Sequence, residues 1–204
     1  SIIWPRSVDI LGYSGWENFS PTTLRQRQNP KRQWQGRRSR ELGLAFEELL
    51  KVACETYKNQ EIAFIEKTPE PFAITDKEYD KKGKFLGFLG HFEKKAQPDF
   101  KGTLRGGKSI VFDAKATEKE RINYSIVTDE QRKDLDYHLA LGAECYVVVS
   151  FKLQTCYRVP WYTWSHMREI YGRNYITMDE LSAMQVPEKN GIIRFLDLKA
   201  VERK

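Results

Sequence analysis

Apolar residues first recur at helical spacing over residues 39–59. In SRELGLAFEELLKVACETYKN, Leu42, Phe46, Leu49, Leu50, Ala53 and Tyr57 make one stripe, and Glu48, Lys51 and Glu55 make the polar face opposite. Ser39 stands as the N-cap. Glu47 departs from the pattern. Its helical neighbours are Gly43, Leu50 and Cys54, so it sits at the edge of the apolar stripe. A carboxylate there either reaches back to water or is aimed into a cleft. The period then changes. EIAFIEK reads as a short strand ending at TPEPF. Residues 72–96 scatter Gly83, Gly87 and Gly90 among Phe and Lys, which predicts a solvated excursion, either a hairpin-like projection or a loop.

DFKGTLRGGKSIVFDAK predicts two strands joined at Gly106–Gly107. Alternation places Ile110, Phe112 and Ala114 on one face of the second strand, and Val111, Asp113 and Lys115 on the other. Pairing across the turn brings Asp99 beside Asp113 and Lys115. After a polar loop over 116–127, Thr128 opens a helix with a Thr-x-x-Gln capping box, and Gly142 stops it. ECYVVVSF is almost wholly apolar, as a strand covered on both faces should be. CYRVPWYTWSHMREIYG predicts an edge strand, a proline break and a helix from near Trp161, and GIIRFLDL predicts a late strand. The order helix, strand, hairpin, helix, strand, helix, strand predicts an α/β fold with a mixed central sheet flanked by helices.

Composition narrows the class. The 204 residues are 40% hydrophobic and 30% charged, and no window is apolar enough for a membrane span. The first residues, SIIWPRSVDI, lack a basic-then-apolar signal pattern. Cys54, Cys145 and Cys156 form neither a CxxC nor a zinc pattern, so reduced thiols in a cytoplasmic protein are expected. His91, His138 and His166 are scattered, which favours solvated or core roles over metal ligation.

Charge is unevenly placed. Lys and Arg number 34 against 28 acids, a net +6. Residues 1–38 have no sustained period, and no acid falls between Glu17 and Glu41. Arg25, Arg27, Lys31, Arg32, Arg37, Arg38 and Arg40 cluster there around Trp34. A flexible basic arm over 1–38 is expected, with the folded domain over 39–204. The arm is either merely solvated or orders on a nucleic-acid backbone, and the two are compatible.

The paired strands carry the chemistry. Phosphodiester cleavage needs an activated water and a clamp on developing negative charge, and Mg²⁺ supplies both. Mg²⁺ takes hard oxygens, which Asp99, Asp113 and the Ala114 carbonyl offer, with Mn²⁺ as a substitute. Lys115, on the face of Asp113, can orient the water and stabilise charge on phosphorus. Glu47 can complete the cation's shell or hold its waters.

Pro98-Asp99 followed by Asp113-Ala114-Lys115 resembles the PD-(D/E)xK nuclease superfamily. That resemblance implies a restriction-endonuclease-like αβββαβ core. More specifically, GLAFEELL, IEKTPEPF, DFKGTLRGGKSIVFDAK, DEQRKDLDYHLALGAECYVVVSF and IIRFLDL resemble segments of the RecU-type Holliday junction resolvases. The resemblance covers about residues 37–200 in patches. It maps an active-site acid onto Glu47 and makes Gln131 an active-site residue, whereas the local pattern makes Gln131 the capping partner of Thr128. Residues 72–96 then correspond to a protruding stalk, and Lys67, at its entrance, joins the candidate DNA contacts.

Two differences stand out. The family has Glu where Asp113 stands, and tends to have Thr before its first aspartate, where Pro98 stands. The stalk zone, whose residues the resemblance places at the junction centre, aligns poorly, so metal-dependent cleavage carries over more firmly than four-way-junction specificity. The resemblance implies Mg²⁺, branched DNA, a homodimer, a role in recombination and repair, and no small-molecule cofactor or membrane. The alternatives are a superfamily nuclease with a restriction- or phage-type target, a non-catalytic DNA-binding module on the same fold, and a purely structural hairpin that leaves Asp99 and Asp113 apart.

Overall fold

The computed structural model describes residues 30–92 and 97–197, without the side chains of residues 30–32 and 92. The chain divides into two units, Ser1–Gly36 and Arg37–Lys204. Of the first, residues 30–36 are described, and they are helical. The arm expected over 1–38 otherwise lies outside the described residues.

Helix α1 runs Pro30–Asn59, so Ser39 is not its N-cap. Proline is tolerated in a helix's first turn, where its missing N–H has no intrahelical partner to lose. The Arg- and Gln-rich turns that follow are built from helix formers. Arg37, Arg38 and Arg40 are exposed, so no apolar period marks these turns. Further along, Phe46, Leu50, Ala53 and Tyr57 are fully buried, while Leu49 is 36% exposed and sits on the rim.

Strand β1 (Ala63–Lys67) follows, then a hairpin of β2 (Phe72–Tyr79) and β3 (Phe85–Phe92) that forms its own two-stranded sheet. This resolves the excursion as a hairpin for its described part. Phe72, Ile74, Tyr79, Phe85, Leu86, Phe88 and Leu89 are all exposed on it. Strands β4 (Phe100–Leu104) and β5 (Ser109–Thr117) form the predicted pair. The turn places Gly106 and Gly107 at φ of 93° and 88°, where a side chain would be strained. At Gly102 a Cβ would stand 2.1 Å from the carbonyl oxygen of Phe64, so only glycine lets β4 lie against β1 there.

The expected polar loop contains short β6 (Arg121–Asn123) and a 3₁₀ turn. Helix α2 (Asp129–Ala140) carries the predicted Thr128 capping box. Then come β7 (Glu144–Phe151), β8 (Thr155–Pro160), α3 (Trp161–Ser165), α4 (Met167–Tyr171) and β9 (Tyr175–Thr177), which pairs with β6. The late strand shrinks to β11 (Ile192–Ile193), paired only with β10 (Glu188–Lys189). Its neighbour Phe195 is fully buried, so the segment seals the core more than it extends the sheet.

The main sheet has order β1-β4-β5-β7-β8. β1, β4 and β5 run antiparallel, and β5 pairs parallel with β7, making the sheet mixed. Alternation along β5 divides its two faces as expected. Ile110, Phe112 and Ala114 pack with Phe46, Leu50 and Tyr57 of α1. Val111 packs with Leu135 of α2 and with Val147, Val149 and Trp164. Each fully buried large side chain contributes about 1.5–3 kcal/mol of transfer free energy. On the α1 face, Phe100, Phe112 and Tyr146 stack across three strands at 4.9 and 5.1 Å between rings. Phe100 and Phe112 directly adjoin Asp99 and Asp113, so this stack fixes the strand ends that bear them. Among the described residues, no helix is long and apolar enough to cross a membrane.

Candidate active site

Asp99 stands just before β4, and Asp113 and Lys115 lie near the end of β5, all at one end of the β4–β5 pair. β4 pairs with β5 no further than Phe100 opposite Phe112. Beyond that point a side chain takes over from the ladder: Ala114 N–H donates to Asp99 Oδ2 at 2.9 Å. The Asp99 N–H in turn donates to Asp113 Oδ1 at 3.3 Å. In a strand, a residue's N–H and C=O project to the same side, so the Ala114 carbonyl also faces Asp99.

Lys115 closes the cluster. Its Nζ is 2.6 Å from Asp113 Oδ2 and 3.5 Å from Asp99 Oδ2. Two carboxylates against one ammonium leave the cluster with one net negative charge. Asp113 is fully buried. Burial pushes its carboxyl up to about 7; Lys115 opposes the shift and Asp99 adds to it. Burial pulls Lys115 down, but Asp113 and Asp99 outweigh it and hold the ammonium above its ordinary value.

Gln131 makes the capping bonds and also bonds to Asp113. Its Oε1 accepts the Thr128 N–H at 3.1 Å, and the Thr128 Oγ1 accepts the Gln131 N–H at 3.3 Å. Its Nε2 donates to Asp113 Oδ1 at 2.9 Å. The cap uses the amide oxygen and leaves the NH₂ for the carboxylate, so one buried side chain fixes both the helix start and the Asp113 rotamer.

The donor set suits a hard divalent cation. Asp113 Oδ2 is buried and faces the Lys115 ammonium at 2.6 Å. A buried oxygen of this kind, in a site of net negative charge, fits Mg²⁺, which binds through one or two carboxylates and keeps several waters. Among the described residues no three His, Cys, Asp or Glu side chains gather at one point.

Glu47 does not join the aspartates directly. Its Oε2 accepts a hydrogen bond from Lys67 Nζ. Burial opposes the Lys67 ammonium, but Glu47, then Asp99 and Glu70, outweigh it and hold Lys67 above its ordinary value. Glu47, Lys67 and Asp99 nevertheless line the same cavity, of about 60 Å³, together with Thr68. Thr68 is not among the site residues expected from the sequence. Its N–H donates to the Asp99 carbonyl at 2.8 Å, and its Oγ1 is buried without a partner among the described residues. Its place in TPEP, at a strand's end between Lys67 and a proline, was the only signal available.

Of the expected nucleic-acid contacts, Arg25 and Arg27 lie outside the described residues, as do the side chains of Lys31 and Arg32. Trp34, Arg37, Arg38 and Arg40 are exposed on α1. Arg38 donates to Glu118 at 2.6 Å, a surface pair worth about 1 kcal/mol or less that DNA could displace. Cys54, Cys145 and Cys156 are free thiols.

Comparison with known proteins gives a consistent result. The family described as Recombination protein U matches residues 41–201. The Holliday junction resolvase RecU of Bacillus licheniformis is 24% identical over 184 residues, spanning 87% of this chain and 88% of that protein. The Holliday junction resolvase RecU of Bacillus subtilis is 25% identical over 193 residues, spanning 92% and 91%. A solved structure of Archaeoglobus fulgidus Hjc, a Holliday junction resolvase from an archaeal hyperthermophile, covers 68% of this chain and 91% of its own, at 18% identity and a TM-score of 0.43; that likeness is too loose to argue from. Since the family match takes in α1 from Glu41, the paired strands β4 and β5, α2 and the late segment, this chain belongs to the Recombination protein U family.

Proposed function

We propose that this protein is a divalent-metal-dependent DNA endonuclease that resolves four-way junctions during recombination and repair. The observation that supports this most is the meeting of Asp99, Asp113 and Lys115 at one strand end, with one net negative charge and a fully buried Asp113 carboxylate. Membership of a family whose curated relatives are named Holliday junction resolvases supports the choice of substrate.

Asp99 and Asp113, with the Ala114 carbonyl, hold the cation, Mg²⁺ or Mn²⁺ in its place. When bound, the cation offsets charge on the phosphate and lowers the pKa of a bound water. The chain's own groups do the rest. Gln131 keeps Asp113 in one rotamer. The Lys115 ammonium, already between the carboxylates, is placed to orient the attacking water and to stabilise charge developing on the phosphoryl oxygens. Glu47 acts at the edge of this set.

The β2–β3 hairpin, with its exposed aromatic and aliphatic side chains, acts as the stalk that meets branched DNA. Arg25, Arg27, Lys31, Arg32, Arg37, Arg38 and Arg40 supply sequence-independent phosphate contacts with Trp34 among them, and Lys67 joins them at the stalk entrance. Two symmetric cuts need two sites, so the working unit is a homodimer. The fold is that of the PD-(D/E)xK nucleases, and the protein acts in the cytoplasm.

The test is cleavage of four-way junction, flap, linear duplex and single-stranded DNA with Mg²⁺. The junction is expected to be cut at paired symmetric positions, and the linear duplex poorly or not at all. Equal cutting of junction and linear duplex would assign the same chemistry to a different DNA target. Binding without cleavage under any divalent ion would make the protein a DNA-binding module.

A further inference from the structure

The geometry points to Thr68 as a positioning residue that, through water, couples Glu47 to the cation held by Asp99. This inference rests on the metal-dependent reading above and specifies how Glu47 enters it.

Glu47 is half-buried on α1, faces the site, and yet is not gathered with the aspartates into a direct ligand set. The cavity of about 60 Å³ lies between Glu47 and Asp99, and Thr68, Glu70 and Gln97 complete most of its wall. That volume holds one or two waters, and a buried water needs two to four polar partners. The wall supplies them. Asp99 and Glu47 contribute carboxylate oxygens. Thr68 lines the same wall, and its buried hydroxyl oxygen has no hydrogen bond among the described residues.

An unpartnered buried hydroxyl costs about 1–3 kcal/mol, a cost that a water held in the adjoining cavity removes. The Thr68 backbone is itself fixed to Asp99 by the 2.8 Å bond from its N–H to the Asp99 carbonyl. The hydroxyl therefore keeps a set position relative to that ligand. Mg²⁺ sheds its waters reluctantly and is commonly reached by outer carboxylates through them. Thr68 thus holds the water that carries the Glu47 charge to the cation. Lys67, bonded to Glu47 from the same cavity wall, keeps that carboxylate from turning away.

The experiment compares Thr68→Val, which keeps the shape and removes the hydroxyl, with Thr68→Ser, which keeps the hydroxyl. Mg²⁺ binding to the DNA-free protein is measured by calorimetry, with thermal unfolding measured alongside without metal. Outer-shell partners of a metal site typically change affinity about 10–100-fold. The Val variant is expected to bind Mg²⁺ about 10-fold more weakly, with an unfolding midpoint no lower than wild type. The Ser variant is expected to restore affinity. A merely structural Thr68 would lower the midpoint of the Val variant and leave Mg²⁺ affinity alone.

Combining Thr68→Val with Glu47→Gln separates the remaining cases. If the two act through one water, the losses in Mg²⁺ affinity are strongly non-additive. Wild-type Mg²⁺ affinity in Thr68→Val, or simple additivity with Glu47→Gln, overturns the inference while the parent reading stands. Failure of the wild-type protein to bind Mg²⁺ at all overturns the parent reading with it.

Discussion

A Lys115→Met protein is expected to cut four-way junctions about 10²–10³-fold more slowly than wild type and to lose about 3–5 kcal/mol of stability in the absence of metal. The two losses have one cause. The Lys115 ammonium lies 2.6 Å from Asp113 and 3.5 Å from Asp99, with only 15% of its side chain exposed. Methionine fills a similar volume but takes that positive charge away from both carboxylates, one of them fully buried. Removing one partner from a buried ion pair is costly because the remaining charge stays desolvated. Saturating Mg²⁺ should recover much of the lost stability, since it neutralises the same oxygens, but not the rate, since the donor that stabilises phosphoryl charge is gone. Urea unfolding with and without Mg²⁺, alongside single-turnover cleavage, checks both. Unchanged metal-free stability would mean that Lys115 does not balance the two aspartates.

Asp113→Asn should break the link between activity and stability. Cleavage is expected to fall at least as far as in Lys115→Met, because a charged ligand is lost. Metal-free stability is expected to fall by less than the loss of about 3–5 kcal/mol in Lys115→Met, because the fold already disfavours the ionised carboxyl and Lys115 keeps a second carboxylate. The smaller loss follows from the charge balance. Burial drives the Asp113 carboxyl up to about 7, so the native fold resists the ionised form. The neutral amide takes the cluster from one net negative charge to none, and Lys115 keeps Asp99 as its partner. The amide oxygen still accepts from Gln131 and from the Asp99 N–H. Thermal unfolding in chelator, repeated with Mg²⁺, reads both effects. The midpoint should respond to Mg²⁺ in wild type and not in Asp113→Asn. A large drop in the midpoint in chelator would show that the Asp113 charge stabilises the fold.

The centre of the site was legible because strand periodicity is a hard constraint. Given a tight turn at Gly106–Gly107, a period of two forces Asp113 and Lys115 to one face and Asp99 opposite them. Gln131 was ambiguous for a physical reason: an amide has separate donor and acceptor ends, and a sequence cannot show that both are in use at once. Here the oxygen caps α2 and the nitrogen holds Asp113.

Glu47 was read at the edge of the apolar stripe and is half-buried there, but its bond to Lys67 depends on how α1 lies over β1, which a one-dimensional pattern does not carry. The start of α1 was missed because its first turns have no buried stripe, and propensity without periodicity gives no boundary. GIIRFLDL reads as a strand from its apolar run. Yet Phe195 is buried as a plug, and only Ile192–Ile193 finds a ladder partner. A short apolar run does not say whether its backbone will be paired.

The most direct test of the metal site is a crystal of the protein grown with Mn²⁺ and measured at the manganese absorption edge. A single anomalous peak is expected between the carboxylates of Asp99 and Asp113, within ligand distance of both and absent from Asp113→Asn crystals. A fully occupied peak elsewhere, or none at saturating Mn²⁺ with Lys115 still lying between the two carboxylates, would contradict the site on which the proposed function depends.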